Sequence, residues 1–438
     1  QKKMSNSQKN NTLPIIMMFL LFAMIAFVTN LCNPMGVIVK NQFGASNFEA
    51  QLGNAANFIA YAVMGIPSGL LLKKIGYKNT ALLAIILGFI GVFLEYMSGW
   101  DSIKSFPVYI IGAFVAGFCM CMLNTVVNPM LNTLGGGGNK GNQLIQFGGV
   151  LNSFSATAVT MLGGALIGEA TKAKISDATP ALFIALAIFA VVFFVLLFVR
   201  IPEPSLAQKA ENKQATPDKH SAFSFRHFRL GILAIFLYLG VEVGLPTYVL
   251  QYLSTSPDKA TPGFGMDAGI AGTIAGVYWL LMLCGRFVGG MIGGKVSSRT
   301  QLTVVSTLCI ILVLIGMLAP TDVMITVFGF NGTESTFTSA QVPIGILFLV
   351  LGGLCTSVMW GGIFNLAVEG LGKYTEFASG MFMVMVCGGG IIVPFQGWIA
   401  DQMHNFLWSY IVVLICAAYI LFYALVGSKN VNKDIQTT

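Results

Sequence analysis

The stretch Tyr238-Leu-Gly-Val-Glu-Val-Gly-Leu-Pro-Thr-Tyr248 places a single carboxylate, Glu242, inside an otherwise uncharged apolar run from Leu230 to Leu253. A run of that length crosses a bilayer as one helix. Arg229 stands thirteen residues before Glu242 and Asp258 sixteen after it, which at about 1.5 Å per residue sets the carboxylate roughly 20 Å from either charged flank, near the midplane. An ionisable group at that depth is costly to keep and marks an ion or substrate path, unless it is held neutral as glue against another helix. Pro246 lacks an N–H, so the carbonyl four residues earlier, that of Glu242, loses its helical partner. Side chain and backbone can then both face a polar cavity.

The rest of the chain carries the same membrane signature. Of 438 residues 55% are apolar and only 9% charged, with a mean hydropathy of +0.79; a water-soluble globule would carry about a quarter charged residues. The net charge of +7 does not imply nucleic acid, because the basic residues are scattered through short loops rather than gathered on one domain. All eight cysteines lie in apolar runs, where a thiol behaves as a small hydrophobe. Their spacing gives no disulfide framework or zinc site. The three histidines, His220, His227 and His404, lie far from any cysteine pair, so neither a metal nor another cofactor is expected.

Apolar runs fall at about 13–39, 48–72, 79–98, 107–133, 143–168, 178–200, 228–253, 265–293, 301–319, 341–370, 376–400 and 405–427, which reads as twelve helices. Nineteen of the twenty-four Lys and Arg then fall on one side of the membrane and five (Lys40, Lys104, Lys172, Lys174, Lys259) on the other. The positive-inside rule makes both termini cytoplasmic and the 321–339 loop external. The polar segment Pro202–Ser221 has no apolar periodicity and reads as a cytoplasmic linker. The expected organisation is a six-helix bundle over 1–201, a linker over 202–225 and a second six-helix bundle over 226–438. The halves echo each other: Asn128-Pro-Met-Leu-Asn-Thr-Leu-Gly135 matches Asn365-Leu-Ala-Val-Glu-Gly-Leu-Gly372, and the cluster around Gly69, Lys73, Lys74 and Gly76 matches that around Gly285 and Arg286. Such pseudo-symmetric halves are what repeated transporters show, with a substrate site at the repeat interface.

On these residues the chain resembles the major facilitator superfamily, and within it the fucose–galactose–glucose symporters, nearly end to end. The most specific stretches are Pro67-Ser-Gly-Leu-Leu-Leu-Lys-Lys-Ile-Gly-Tyr-Lys78, Asn124-Thr-Val-Val-Asn-Pro129, Asn152-Ser-Phe154, Gly285-Arg-Phe287, Ile363-Phe364 and Gly388-Gly-Gly-Ile-Ile-Val-Pro394. The resemblance implies an all-α, twelve-helix carrier in the bacterial cytoplasmic membrane, working as a monomer in the lipid bilayer. It implies import of a neutral sugar such as a hexose by alternating access, coupled to H+ or alternatively to Na+. Fucose carriers of the family place carboxylates in the first and fourth helices, where this chain has Asn33 and Asn124. Neither can titrate, and Glu242, on a glutamate shared by many relatives, is left as the coupling acid. An uncoupled facilitator, a carrier for a peptidoglycan fragment, nucleoside or lipid, and an exporter remain the alternatives. An enzyme does not, since no cluster of nucleophiles, acids or metal ligands is present.

Sugar recognition calls for amides and carboxylates to pair hydroxyls and for aromatic faces to cover C–H surface. Asn30 and Asn33 share one face of the first helix, Asn124 and Asn128 one face of the fourth, and Asn152 lies in the fifth; the second half offers Glu242, Gln251, Tyr278, Trp279, Trp360, Asn365 and Gln396. Singly, each amide is as well explained by helix-to-helix bonding. The resemblance makes Trp360 the ring platform, while Tyr278 and Trp279 point to different sides of one helix, and the sequence leaves open which of them faces inward. The remaining expectations concern Gly69, Lys73, Lys74, Gly76, Gly285 and Arg286, read as cytoplasmic gate motifs. Arg286 is placed toward a cytoplasmic helix end, leaving no cation deep in any span and hence no partner for a charged substrate.

Overall fold

The computed structural model describes residues 2–44, 52–167, 174–203, 220–255, 257–266, 268–331 and 336–436. Ten helices in it are long and apolar enough to cross a membrane. One of them, Leu52–Met97, is two crossings joined at Gly76, and Gly138–Ile167 supplies the twelfth. We number them α1 (Lys2–Phe43), α2 and α3 (52–75 and 77–97), α4 (Phe106–Leu134), α5 (Gly138–Ile167) and α6 (Thr179–Phe198). The second half holds α7 (Arg226–Ser254), α8 (Ala268–Gly293), α9 (Ser298–Leu318), α10 (Ile344–Val368), α11 (Gly372–Met403) and α12 (Trp408–Gly427). This is the twelve-helix membrane fold that the apolar runs predict.

The described residues form two compact units. The first comprises Gln1–Phe225, Val368–Val386 and Asn432–Thr438; the second comprises Arg226–Ala367 and Cys387–Val431. The first part of α11 thus groups with the N-terminal helices. The reason is a seam of glycines: a Cβ on Gly65 would lie 2.7 Å from the backbone of Val384, and one on Gly69 would lie 2.9 Å from the carbonyl of Glu376. Without Cβ atoms the α2 backbone approaches α11 closely, which is how membrane helices gain packing energy in the absence of a hydrophobic drive. Ser379 adds a hydroxyl bond of 3.1 Å to the Thr125 carbonyl.

Three irregularities shape the helices. Gly76 sits at φ 84° between α2 and α3, a left-handed conformation open to glycine. The carboxylate of Glu203 accepts the freed N–H groups of Tyr77 (2.7 Å) and Lys78 (2.9 Å) there. Glu203 belongs to the polar segment read as a linker, so its first residues are part of the fold, while 204–219 lie outside the described residues. α10 is interrupted between Ile344–Thr356 and Met359–Val368. α11 passes through a tight turn at Met385–Cys387 just before Gly388.

The loop expected at 321–339 is not irregular. It holds an antiparallel hairpin, β1 (Met324–Asn331) with β2 (Thr336–Pro343), in register Met324 to Pro343. The β-branched and aromatic residues of Met-Ile-Thr-Val-Phe-Gly-Phe330 suit a pleated strand. Gly329 lets β1 rest on Ile270 of α8.

Candidate functional site

In the C-terminal unit, α7 carries Glu242 on a helix that runs unbroken through Pro246. Gly240 and Gly244 face Ile392 and Gln396 of α11, and Gly388 lies against the Phe236 carbonyl. These contacts fix the rotation of α7, and Tyr410 of α12 secures it further with a hydroxyl bond of 2.8 Å to the Leu245 carbonyl. The face left to Glu242 meets α8 and α10.

There the carboxylate finds a cation. Arg286 Nη2 lies 3.5 Å from Glu242 Oε1, and the two side chains are only 11% and 15% exposed. This corrects the reading of Arg286 as a residue of the cytoplasmic helix end. Sequence spacing locates a Cα, whereas the long arginine stem carries its charge well away from it along apolar surface. A cation therefore does sit deep in a span, paired with the acid the sequence singled out. Removing one member of such a buried pair strands the other at a cost of about 3–5 kcal/mol.

The break in α10 completes the arrangement. Irregular backbone inside a membrane is tolerated only where its polar groups find partners or line a cavity. Arg286 Nε donates to the Ser357 carbonyl at 3.3 Å, and the Tyr238 hydroxyl reaches the Thr356 carbonyl at 3.4 Å. Tyr238 also lies within hydrogen-bonding reach of both Glu242 and Arg286. Tyr278 is fully buried, its hydroxyl 2.7 Å from Thr356 Oγ1, and so packs inside the C-terminal unit, whereas Trp279 is exposed. Trp360 follows Thr356 on α10, its ring 6.2 Å from that of Tyr238. Sequence reasoning gave no part to Tyr238, Thr356 or Ser357. A signal was available in the Thr356-Ser357 pair, placed between Gly352-Gly353 and Gly361-Gly362, where a helix is easily interrupted.

Asn365 lies nine residues beyond Thr356 and spends its amide on Ser298 Oγ at the start of α9, 2.8 Å away. Gly285 faces Ser357. An apolar groove of about 310 Å³ between α8, α9 and α10 shares Gly285 and Ser357 with this region, but its lining suits lipid chains rather than hydroxyls.

The N-terminal unit gathers its amides separately. Asn124 Nδ2 donates to the Tyr61 hydroxyl at 2.8 Å, joining α4 to α2. Asn128, with no exposed surface, donates to the Asn124 carbonyl at 2.9 Å. Asn152 of α5 reaches the Phe22 carbonyl of α1 at 3.0 Å, and Asn30 bonds the Ala26 carbonyl on its own helix. Asn33 lies within α1, its side chain outside the described residues. Of the gate residues in this unit, Gly69 belongs to the α2–α11 seam, Gly76 makes the turn capped by Glu203, and Lys73 and Lys74 are exposed, with Lys73 acting on Glu376.

Comparison with known proteins places this geometry. A family profile described as Major Facilitator Superfamily matches residues 18–394. A glucose/galactose transporter of Brucella abortus biovar 1 (strain 9-941) is 29% identical over 436 residues, covering 97% of each chain. An L-fucose-proton symporter of Escherichia coli (strain K12) is 23% identical, covering 98% of this chain and 97% of its own. The crystal structure of a Major Facilitator Superfamily transporter, FucP, in the outward conformation superposes with a TM-score of 0.78 at 21% identity, covering 96% of this chain and 100% of that one.

Proposed function

This chain belongs to the Major Facilitator Superfamily, and from that premise we propose that it imports a neutral sugar of the hexose class by alternating access, driven by a proton gradient. It is a carrier and not an enzyme. The sugar assignment is supported by relatives named for glucose, galactose and L-fucose that align over nearly their whole length. Proton coupling is supported by the relative named as a fucose-proton symporter and by one observation in this chain, the deeply placed Glu242 paired with Arg286. The pair carries no net charge, so a neutral substrate remains the expectation even though its original basis, the lack of a deep cation, does not hold.

In the C-terminal unit Glu242 is the coupling group and Trp360 the surface for the sugar ring, with Tyr278 positioning α10. In the N-terminal unit Asn30, Asn33, Asn124 and Asn152 are the amides offered to hydroxyls. Asn128 and Asn365 are assigned to helix packing, since one has no exposed surface and the other is bonded to Ser298. The protein works as a monomer in a bacterial cytoplasmic membrane, with both termini inside.

Counterflow in proteoliposomes against a panel of monosaccharides, nucleosides and peptidoglycan fragments, with and without pH or Na+ gradients, tests this. Saturable hexose counterflow and pH-driven accumulation are expected. Counterflow of another solute class alone would replace the sugar, and Na+-driven accumulation would replace the proton. A facilitator is favoured by one observation, the amides Asn33 and Asn124 where fucose carriers have acids; hexose counterflow without accumulation under any gradient would select it.

A further inference from the structure

Between α8, α9 and α10 the groove of about 310 Å³ has walls made by Val288 and Ile292 of α8, Val304 of α9, and Leu354 and Val358 of α10. One polar group breaks this apolar surface. Gln301 lines the groove and is 6% exposed; its Nε2 donates to the Val296 carbonyl at 3.2 Å, but its buried Oε1 meets no donor among the described residues. A buried acceptor without a donor is costly, which favours a ligand that brings an O–H or N–H to it. We propose that the groove binds one anionic phospholipid with a hydroxylated headgroup, of the phosphatidylglycerol type. An acyl chain lies along the apolar walls, the phosphodiester meets the α8–α9 turn, and a headgroup hydroxyl donates to Gln301 Oε1. The lipid belongs to the leaflet on the side of the membrane where α7 begins.

The charge at that end of the groove suits a phosphodiester. Lys295 stands between the lining residues Ile292 and Val296, and Arg299 stands next to Thr300, which also lines it. Lys295 is exposed, and Arg299 is oriented by its Nε bond of 3.3 Å to Ser428 Oγ. From Ala268 to Thr321 the chain holds no Asp or Glu, and among the described residues neither cation has an acidic partner. The start of α9 adds donors: the Ser297 hydroxyl accepts the Thr300 N–H at 3.1 Å and leaves the N–H groups of Ser298 and Arg299 for an anion. Gln301 lies three residues beyond Ser298, about 4.5 Å along the helix axis, within the span of one headgroup. The groove at the opposite end of α9, about 490 Å³, is lined from Leu314 to Phe348 without a charged or amide side chain. Any acyl chain satisfies that surface, whereas the groove at Gln301 selects a headgroup.

The test is native mass spectrometry of the full chain after equilibration in detergent with equimolar phosphatidylglycerol, phosphatidylethanolamine and phosphatidylcholine of identical acyl chains. One phosphatidylglycerol should be retained at least about tenfold over either of the others, since each cation near an anionic headgroup raises occupancy about fivefold. K295Q/R299Q should bring that preference within about threefold while a lipid of some headgroup is still retained. Q301L should weaken the preference about threefold or more by removing the acceptor. V304W, which fills the groove from a position 59% exposed, should lose the tightly held lipid altogether. Equal retention of the three lipids by the parent, or of phosphatidylethanolamine as much as phosphatidylglycerol, overturns the proposal. An unchanged preference in K295Q/R299Q, Q301L or V304W does so too, as does a lipid-free dimer mass that shows a second copy on this face. If the variants are not monodisperse, the parent decides the matter through Cys284, an exposed free thiol that lines the groove. Its alkylation by N-ethylmaleimide in nanodiscs, followed by peptide mass spectrometry, should be about threefold or more slower in phosphatidylglycerol than in phosphatidylcholine. Equal rates overturn the proposal.

Discussion

Glu242 is useful to a symporter only if its two protonation states are both reachable during the cycle. Replacing it with Gln keeps shape and hydrogen-bonding capacity while abolishing titration. Glu242→Gln is expected to lose gradient-driven accumulation and retain sugar exchange, measured as radiolabelled hexose uptake with and without a pH gradient. Trp360 makes a separate prediction. If its ring covers the sugar, Trp360→Ala raises the half-saturation concentration for exchange about tenfold, while Trp360→Phe stays within about threefold. The acid was legible in the sequence because it stands alone in an apolar run. Its cation was not, because the contact joins α7 to α8 through a long flexible stem, and the 43 residues between Glu242 and Arg286 encode nothing about where that stem points. Tyr278 and Trp279 were likewise undecidable until the helix rotation was known.

Two close contacts hold α2, its seam with α11 and the turn at Gly76. The α2–α11 seam depends on Gly65 and Gly69 having no side chain, since added atoms would meet backbone at 2.7 and 2.9 Å. Backbone cannot give way as a flexible side chain can, and overpacking costs about 1–3 kcal/mol. Gly65→Val should therefore lower the melting temperature in detergent and depress exchange. Gly276→Ala, at a position with nothing within 4 Å, should leave the melting temperature unchanged, measured by intrinsic fluorescence. Glu203 offers a parallel test. It caps two backbone N–H groups at the Gly76 turn, and charge-assisted bonds of this kind contribute about 1.5–3 kcal/mol. Glu203→Ala should destabilise the protein in the same assay, with Glu203→Gln in between. The glycine and lysine cluster was visible in the sequence as a turn motif, but its acidic cap was not. Glu203 lies 126 residues from Tyr77, in a segment whose composition reads as linker. The interruption of α10 escaped for a related reason: no proline marks it, and the partners that satisfy its carbonyls come from α7 and α8.

At the scale of the molecule, hydropathy alone gave twelve crossings, and the structure contains them; the β1–β2 hairpin is a regular element that a search for apolar runs could not detect. The charge asymmetry makes a prediction of its own. In a cysteine-free background, an impermeant thiol reagent added outside should label a cysteine placed at Ser339 on the hairpin and spare one placed at His220. The reverse pattern would invert the topology. The most direct test of proton-coupled import through Glu242 is the external pH of lightly buffered, de-energised proteoliposomes when the hexose found by counterflow is added. The parent protein should alkalinise the medium as sugar enters, by about one proton per sugar if Glu242 is the one acid that couples, and E242Q should give no pH change while still exchanging sugar. Sugar entry by the parent without alkalinisation, or equal alkalinisation by E242Q, would contradict it.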